Sequence, residues 1–220
     1  RDTVHHFLRQ FDRVFAQFEE GATDADLSWT GMSLATNAVG IENGGTGTLT
    51  FTDSTFANTK DITIPGSGTV NFVEGTIDSS SVEVTGQGMY NRMRALDVSV
   101  KADNNSVSGT NVVLRDSDGV AIGSAVTDAN GDAVGMTFVT AKVDSSGLST
   151  MNLNGYELVT VAKVGAYYYN SAADNAGDFR YAMQGLTLSD APGNSDSIDL
   201  VSKVKYRVCY SSALSSYPSL

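Results

Sequence analysis

The sequence predicts an all-β protein with a β-solenoid-like segment, an antiparallel β-sandwich and one N-terminal amphipathic helix. Asp outnumbers Glu by 19 to 6 in the 220 residues, and Asp favours turns whereas Glu favours helices. A sequence echo recurs every 20–21 residues in the first half, and Asp-Gly and Asn-Gly pairs separate β-type runs in the second. We expect helix and linker over residues 1–27, the solenoid-like segment over 28–110 and the sandwich over 111–220.

One helix is predicted over residues 3–20. Its apolar residues recur at the spacing of an amphipathic helix, Asp2 or Thr3 can cap its start, and Gly21 follows its end. Because several Phe side chains share one face, the helix must dock, either on the protein's own body or on a neighbouring subunit. The residues expected at that interface are Val4, Phe7, Phe11, Phe15 and Phe18.

The echo is clearest between residues 49–68 and 70–88. Phe51 matches Phe72 at an offset of 21, and Ile64 matches Val84 at an offset of 20. A period near 20 is typical of β-solenoid coils, whose stacking buries a continuous apolar core. We expect glycines at the corners, where φ is positive; the matched glycines are Gly66 and Gly68, then Gly86 and Gly88. The alternative is a β-sandwich whose strands have similar lengths.

The second half contains strands joined by tight turns. Runs over 112–115, 120–127 and 133–143 are separated by Asp-Gly and Asn-Gly turns, which are hairpin signals. Further strands are predicted over 156–164, 179–183, 186–188, 198–200 and 204–210. This pattern favours an antiparallel sandwich of the immunoglobulin-like (Ig-like) kind.

Residues 113–133, Val-Leu-Arg-Asp-Ser-Asp-Gly-Val-Ala-Ile-Gly-Ser-Ala-Val-Thr-Asp-Ala-Asn-Gly-Asp-Ala, resemble the carboxypeptidase-regulatory-like β-sandwich modules. Such modules recur in large, modular prokaryotic cell-surface proteins, sometimes beside parallel β-helices, which the upstream echo resembles in period and corner glycines. The resemblance implies a spacer, adhesive or scaffolding role. Residues 1–27 match nothing in that family.

Charge and composition exclude several partners. The net charge is −11 and the pI is about 4.4. The chain therefore offers no basic stripe that could bind nucleic acid, and an anionic membrane surface would repel it. No apolar run reaches the 18 residues that a membrane span needs. Since the chain starts at Arg1 rather than Met, we expect the natural polypeptide to extend further on at least one side.

The best chemical site in the sequence is for calcium, in two turns. Oxygen-bearing side chains alternate around a glycine in each turn, as at the start of an EF-type loop; they are Asp116, Asp118, Asp128, Asn130 and Asp132. The loops lack the distal Glu of that motif. Asp and Asn also suit such turns for backbone reasons alone, so simple turns are the alternative. We expect no required cofactor, with Ca²⁺ the only candidate.

Catalytic arrangements find little support. His5 and His6 are adjacent on the predicted helix and point about 100° apart, and Cys209 is a lone cysteine, so neither a hydrolase triad nor a zinc site is predicted. Paired acids could serve a polysaccharide-active β-helix enzyme. The acids on the predicted coils are Asp53, Asp61, Glu74, Asp78 and Asp97, of which Asp53 and Glu74 occupy equivalent positions one coil apart.

The expected function is therefore structural. Tyr167, Tyr168 and Tyr169 cannot all face one core if extended, which favours Tyr167 and Tyr169 as interface residues in self-association. We expect an extracellular or cell-surface protein, a subunit or segment of a filament, surface layer or adhesin that assembles by helix docking or β-augmentation with copies of itself or with neighbouring segments. The first alternative is a glycan- or cell-surface-binding module using loops 170–177 and 190–196, and the second is the β-helix enzyme.

Overall fold

A computed structural model describes residues 14–18, 26–102, 104–161 and 180–200. These residues form eighteen strands and one 3-10 helix, so the predicted all-β class is confirmed. The strands are β1 Val14–Phe18, β2 Leu27–Thr30, β3 Ser33–Ala35, β4 Val39–Asn43, β5 Thr48–Thr52, β6 Thr55–Ala57, β7 Lys60–Ile64, β8 Thr69–Val73, β9 Val82–Val84, β10 Met89–Ala102, β11 Asn105–Ser106, β12 Asn111–Arg115, β13 Ala121–Val126, β14 Asp132–Asp144, β15 Gly147–Thr150, β16 Tyr156–Val161, β17 Arg180–Leu186 and β18 Asn194–Leu200; the 3-10 helix is η1 Ser79–Ser81.

The chain divides into two compact units. The first contains residues 1–95, 137–152 and 189–192, and the second contains 96–136, 153–188 and 193–220. Strands β10 and β14 each contribute residues to both units.

The first unit holds the predicted solenoid-like coils. Three sets of parallel strands stack along it: β1-β4-β7-β9, β2-β5-β8 continuing into β10, and β3-β6. Successive coils are offset by 22 residues from β2 to β5, by 21 from β5 to β8 and by 20 from β8 to β10. The β-solenoid-like prediction is therefore confirmed. The alternative, a β-sandwich over the same residues, is wrong, because these strands stack in parallel as successive coils.

Apolar rows inside the coils supply the core. Alternate strand residues point inward, and the register places similar apolar residues of successive coils next to each other. Leu49 pairs with Val70, and Phe51 pairs with Phe72. The Trp29 ring stacks on Phe51 at 5.0 Å between centroids, and Phe56 meets Phe72 edge-to-face at 5.1 Å. Phe51 and Phe72 are fully buried, and aromatic pairs of this kind add about 0.5–1.5 kcal/mol each beyond their area burial.

Polar side chains also stack within the coils. Asn37 donates from both its backbone and its side chain to the Asn58 side-chain oxygen one coil later, at 3.1 and 2.9 Å. Asn58 in turn donates from its backbone N–H and side-chain amide to the buried carboxylate of Asp61, at 2.7 and 3.0 Å. Ser81 donates to the other carboxylate oxygen at 2.5 Å. This network satisfies a buried charge that would otherwise cost several kcal/mol.

The matched glycines have a different role from the predicted one. Positive φ is found instead at Gly31, Asp53 and Glu74, which are equivalent corner positions in successive coils, with φ of 70°, 50° and 56°. Gly68 has no positive φ; a Cβ there would lie 2.6 Å from the Gly47 carbonyl oxygen of the preceding coil. The prediction that Gly66, Gly68, Gly86 and Gly88 serve positive-φ corners is therefore wrong, because these glycines permit close coil-to-coil approach.

The predicted helix over residues 3–20 is replaced by a strand where the chain is described. Val14–Phe18 form β1, which pairs in parallel with β4, Val14 opposite Val39 and Phe18 opposite Asn43. The apolar residues there fit a period of two as well as a helical period, and the open edge of β4 supplies backbone partners that an isolated helix lacks. Residues 1–13 and 19–25, with Val4, Phe7 and Phe11, lie outside the described residues.

The second unit combines an antiparallel sheet with one parallel strand pair. Its four-stranded sheet has the order β13-β12-β16-β17. The later part of β10 pairs in parallel with β18, from Leu96 opposite Asn194 to Ala102 opposite Leu200. Val112, Leu114 and Leu158 are fully buried. The predicted strand over 204–210 lies outside the described residues.

Candidate functional site

The first candidate region is the pair of turns predicted to bind calcium. The Asp116 carboxylate accepts hydrogen bonds from the backbone N–H groups of Asp118 and Val120, at 3.0 and 2.9 Å. The Asp128 carboxylate does the same for Asn130 and Asp132, at 2.8 and 2.9 Å. Each acid thus completes its own turn, as Asp residues commonly do.

Electrostatics at the second turn follow from those bonds. The backbone N–H of Asp132, then the groups of Asn130, stabilise the charged carboxylate and hold the pKa of Asp128 below its ordinary value of 3.8. Within the described part of the chain, no group of three or more His, Cys, Asp or Glu could hold a metal ion. The hydrogen bonds account for Asp116 and Asp128 as turn residues, and calcium at the five predicted ligands stays a prediction.

All but one of the acids predicted on the coils accept hydrogen bonds from backbone groups. Glu74 accepts a hydrogen bond from the Ala95 N–H, and Asp97 accepts one from the Gly135 N–H at 2.8 Å. Asp78 caps η1 through Ser80, whose side-chain and backbone hydrogen bonds lower the pKa of Asp78. Asp53 lies at the positive-φ corner one coil before Glu74. These contacts give each of the acids except Asp53 a structural role.

A cluster around two arginines was not predicted from the sequence. Arg94 is buried and donates from Nε to the Asp190 carbonyl oxygen at 2.6 Å and from a guanidinium nitrogen to the Gly75 carbonyl oxygen at 3.0 Å. Arg92 forms an ion pair with Asp190 at 3.3 Å. Burial, then the neighbouring Arg92, lowers the pKa of Arg94. The cluster joins residues 189–192 to the last coil, a contact between residues far apart in sequence.

The outer face of the solenoid sheet is uncharged. Strands β2, β5 and β8 contain no charged residue. The residues that alternate with the buried rows are mainly Thr, Ser and Asn, and parallel pairing aligns them in register. One such row is Ser28, Thr50, Asn71 and Asn91. Strand spacing places neighbours in a row about 4.8 Å apart, so hydroxyl and amide groups form a regular array.

The second exposed element is the edge strand β13. Among the described strands it pairs only with β12. Ile122 and Val126 are 38% and 62% exposed, and Val120 just before the strand is 57% exposed. The sequence predicted this strand but not its position at an edge, because a local pattern carries no information about which neighbours a strand acquires.

The predicted interface residues are described only in part. Phe15 and Phe18 lie on β1, an outer strand of its sheet among the described residues. Tyr167 and Tyr169, like Val4, Phe7 and Phe11, lie outside the described residues, as do loop residues 170–177. The other predicted binding loop, 190–196, includes the Asp190 contact with the arginines and the start of β18.

Comparison with known proteins gives no family for this chain. No protein-family model matches it, and no curated protein matches it in sequence. Among the described residues, no helix has both the length and the apolar character needed to cross a membrane.

Proposed function

We propose that the chain is an extracellular structural protein, a subunit or segment of a surface filament, surface layer or adhesin that assembles by β-augmentation. The observation that supports this most is the combination of stacked parallel coils with strands that, among the described residues, lie at sheet edges, β13 in particular. Open edges present unpaired backbone N–H and C=O groups, which favour strand addition from another chain. Assembly by docking of the predicted N-terminal helix has less support, because Val14–Phe18 form a strand.

The finer fold assignment belongs to the same proposal. We interpret the antiparallel sheet β13-β12-β16-β17 as one face of an Ig-like sandwich, as in the carboxypeptidase-regulatory-like modules that residues 113–133 resemble. A coil segment followed by such a module would place the chain among modular prokaryotic cell-surface proteins. That architecture suits an element whose task is spacing and contact, without a catalytic centre.

Assembly is tested by measuring particle size on the purified full chain. Sedimentation velocity over a hundredfold range of concentration, with electron microscopy of the most concentrated sample, should show a growing fraction of larger species. A single monomeric species at every concentration, with no lattice or filament in the micrographs, would rule the proposal out.

A second candidate function is glycan binding, favoured by the uncharged outer face of β2, β5 and β8. A regular array of hydroxyl and amide groups fits the repeating hydroxyls of a neutral polysaccharide chain. Depletion of the protein by insoluble cellulose or chitin measures this. Thr50→Lys, at the centre of the array, should abolish depletion, whereas Ser149→Lys on β15 should leave it unchanged; equal depletion of the two variants would contradict glycan binding at this face.

A further inference from the structure

We infer that Asn104 is an N-glycosylation site, at which an oligosaccharide from a lipid-linked donor is attached to the side-chain amide nitrogen. Residues 104–106, Asn-Asn-Ser, match the acceptor motif Asn-x-Ser/Thr, in which x is any residue except proline. No other asparagine of the 220 residues is followed two positions later by Ser or Thr. The inference rests on the extracellular location in the proposed function, because this motif is read in secreted proteins, but it does not depend on assembly.

The motif lies at the tip of a short hairpin in the second unit. Strand β11 pairs antiparallel with the end of β10, Ala102 opposite Asn105 and Lys101 opposite Ser106, so the chain reverses direction at Asn104. All three residues of the motif are exposed. An acceptor asparagine has to lie on a surface loop to be reached in the folded protein, and the hairpin tip meets that requirement.

The groups that the transfer needs are not engaged elsewhere. Within the described part of the chain, neither the Asn104 side-chain amide nor the Ser106 hydroxyl forms a hydrogen bond. Asparagines of the coils differ in this respect, since the Asn91 side-chain amide donates to the Asn71 side-chain oxygen at 2.9 Å. The hairpin therefore leaves both the amide and the hydroxyl of the motif available to a transferase.

Backbone conformation explains only part of the motif. Asn104 has φ +67°, in the left-handed region that Asn and Asp tolerate better than most residues and that Gly adopts freely. A turn alone would thus be satisfied by Asp or Gly at this position. It sets no requirement for a hydroxyl two residues later, at Ser106, whereas glycosylation requires both the amide and the hydroxyl.

The transfer forms one bond and breaks another. The amide nitrogen Nδ2 of Asn104 attacks the anomeric carbon of the donor sugar and gives one proton to the transferase. The anomeric C–O bond breaks, and its electron pair leaves with the phosphate of the lipid carrier. The product carries a bulky, hydrophilic glycan, which would keep the hairpin tip out of contacts between subunits.

The test offers the folded, purified full chain to an oligosaccharyltransferase that recognises Asn-x-Ser/Thr, with a lipid-linked oligosaccharide as donor. Peptide mass spectrometry should find the glycan on Asn104 in the wild type and in Ser106→Thr, which keeps the motif. Asn104→Asp and Ser106→Ala should carry none, because the first lacks the amide nitrogen and the second lacks the hydroxyl. Since Asp tolerates the left-handed region as Asn does, Asn104→Asp keeps the hairpin, and circular dichroism melting checks that each variant is folded.

A second motif placed in the coils supplies the matched control. Val73→Thr makes residues 71–73 an acceptor motif on β8, at an outward position where the change in side-chain shape is small. Strand β8 is paired on both sides, by β5 and β10, so the backbone around Asn71 is held in the sheet. In the folded variant we expect the glycan on Asn104 and none on Asn71, whereas tryptic peptides of the same variant should be modified at both.

The outcomes separate the inference from the proposed function. A folded wild type that stays unmodified would overturn the inference and leave the proposed assembly untouched. Equal modification of Asn71 and Asn104 in folded Val73→Thr would also overturn it, because the hairpin tip would then give Asn104 no advantage as an acceptor. A chain that is modified at Asn104 but stays monomeric at every concentration would overturn the proposed assembly alone.

Discussion

The glycines that recur along the coils offer the most discriminating test of the fold. Gly31 and Gly68 are both glycines of the solenoid, but the structure assigns them opposite requirements. Gly31 has φ +70° and open space around its Cα, whereas Gly68 has no positive φ and faces the preceding coil. Substitution by Ala and by Asn at each position separates the two requirements, because Asn tolerates the left-handed region better than Ala does.

The magnitudes follow from the local geometry. A Cβ on Gly68 would lie 2.6 Å from the Gly47 carbonyl oxygen, so the coils must separate by about 0.8 Å to reach ordinary contact. The Gly68 N–H donates to the Gly45 carbonyl oxygen at 2.9 Å, and this bond would weaken as well. Overpacking of this kind costs about 1–3 kcal/mol. At Gly31 the cost of Ala is conformational, about 1–2 kcal/mol.

We therefore expect opposite rankings at the two positions. Gly31→Asn should be more stable than Gly31→Ala, whereas Gly68→Asn should be at least as destabilised as Gly68→Ala, since a larger side chain worsens the clash. Thermal melting followed by circular dichroism measures this, and about 2–4 °C per kcal/mol is expected for a chain of this size. If Gly68→Asn proved more stable than Gly68→Ala, Gly68 would be needed for its backbone conformation, and close contact with the preceding coil would not be the reason for a glycine there.

Three further predictions concern the core, the arginine cluster and pH. Phe72→Ala removes a fully buried ring that contacts two other aromatic rings and should lower the free energy of unfolding by about 3–5 kcal/mol in urea titration. Phe72→Leu keeps a large apolar side chain and should cost less than Phe72→Ala, although it still loses both aromatic contacts. Arg94→Ala should destabilise the protein by more than about 1 kcal/mol in the same titration, because the buried Gly75 carbonyl group loses its donor. Asp190→Asn should cost less than about 1 kcal/mol, since the Asp190 carboxylate is half exposed and Arg94 bonds to the Asp190 carbonyl oxygen. Equal losses for the two variants would contradict the cluster. Folding lowers the pKa of Asp128, so the ionised Asp128 side chain stabilises the protein above about pH 4, and this stabilisation disappears as pH falls through the lowered pKa. The melting temperatures of the wild type and of Asp128→Asn should therefore converge at a pH below the lowered pKa. A difference between the two melting temperatures that does not change with pH would contradict this prediction.

Much of the solenoid could be predicted from sequence because similar residues recur with the period of its coils. Phe51 and Phe72 match in sequence and lie opposite each other in register, since each coil repeats the same inward row. The role of Gly68 could not be predicted, because a glycine required by a positive φ and one required by a close neighbour look alike in sequence. Only the distance to the preceding coil distinguishes the two reasons.

The N-terminal segment shows the limit of periodicity as a signal. Val14–Phe18 fit both a helical stripe and strand alternation, and the choice was made by the open edge of β4, a partner that no local pattern reveals. The same reason explains why β13 could be predicted as a strand but not as an edge. The contact between Arg94 and Asp190 joins residues 96 positions apart, and a single sequence gives no sign of such a pairing.

The distribution of charge connects the fold with the proposed assembly. Several of the acids that contribute to the net charge of −11 lie in turns and at coil corners, where Asp116 and Asp128 stabilise the backbone. Strands β2, β5, β8 and β13 carry none. Other strands do carry charges at exposed positions, such as Lys60 on β7 and Glu83 on β9, where charges cost little and protect edges. The proposed assembly and glycan contacts both use these uncharged strands, and the acidic turns on either side of β13 limit where such contacts can form.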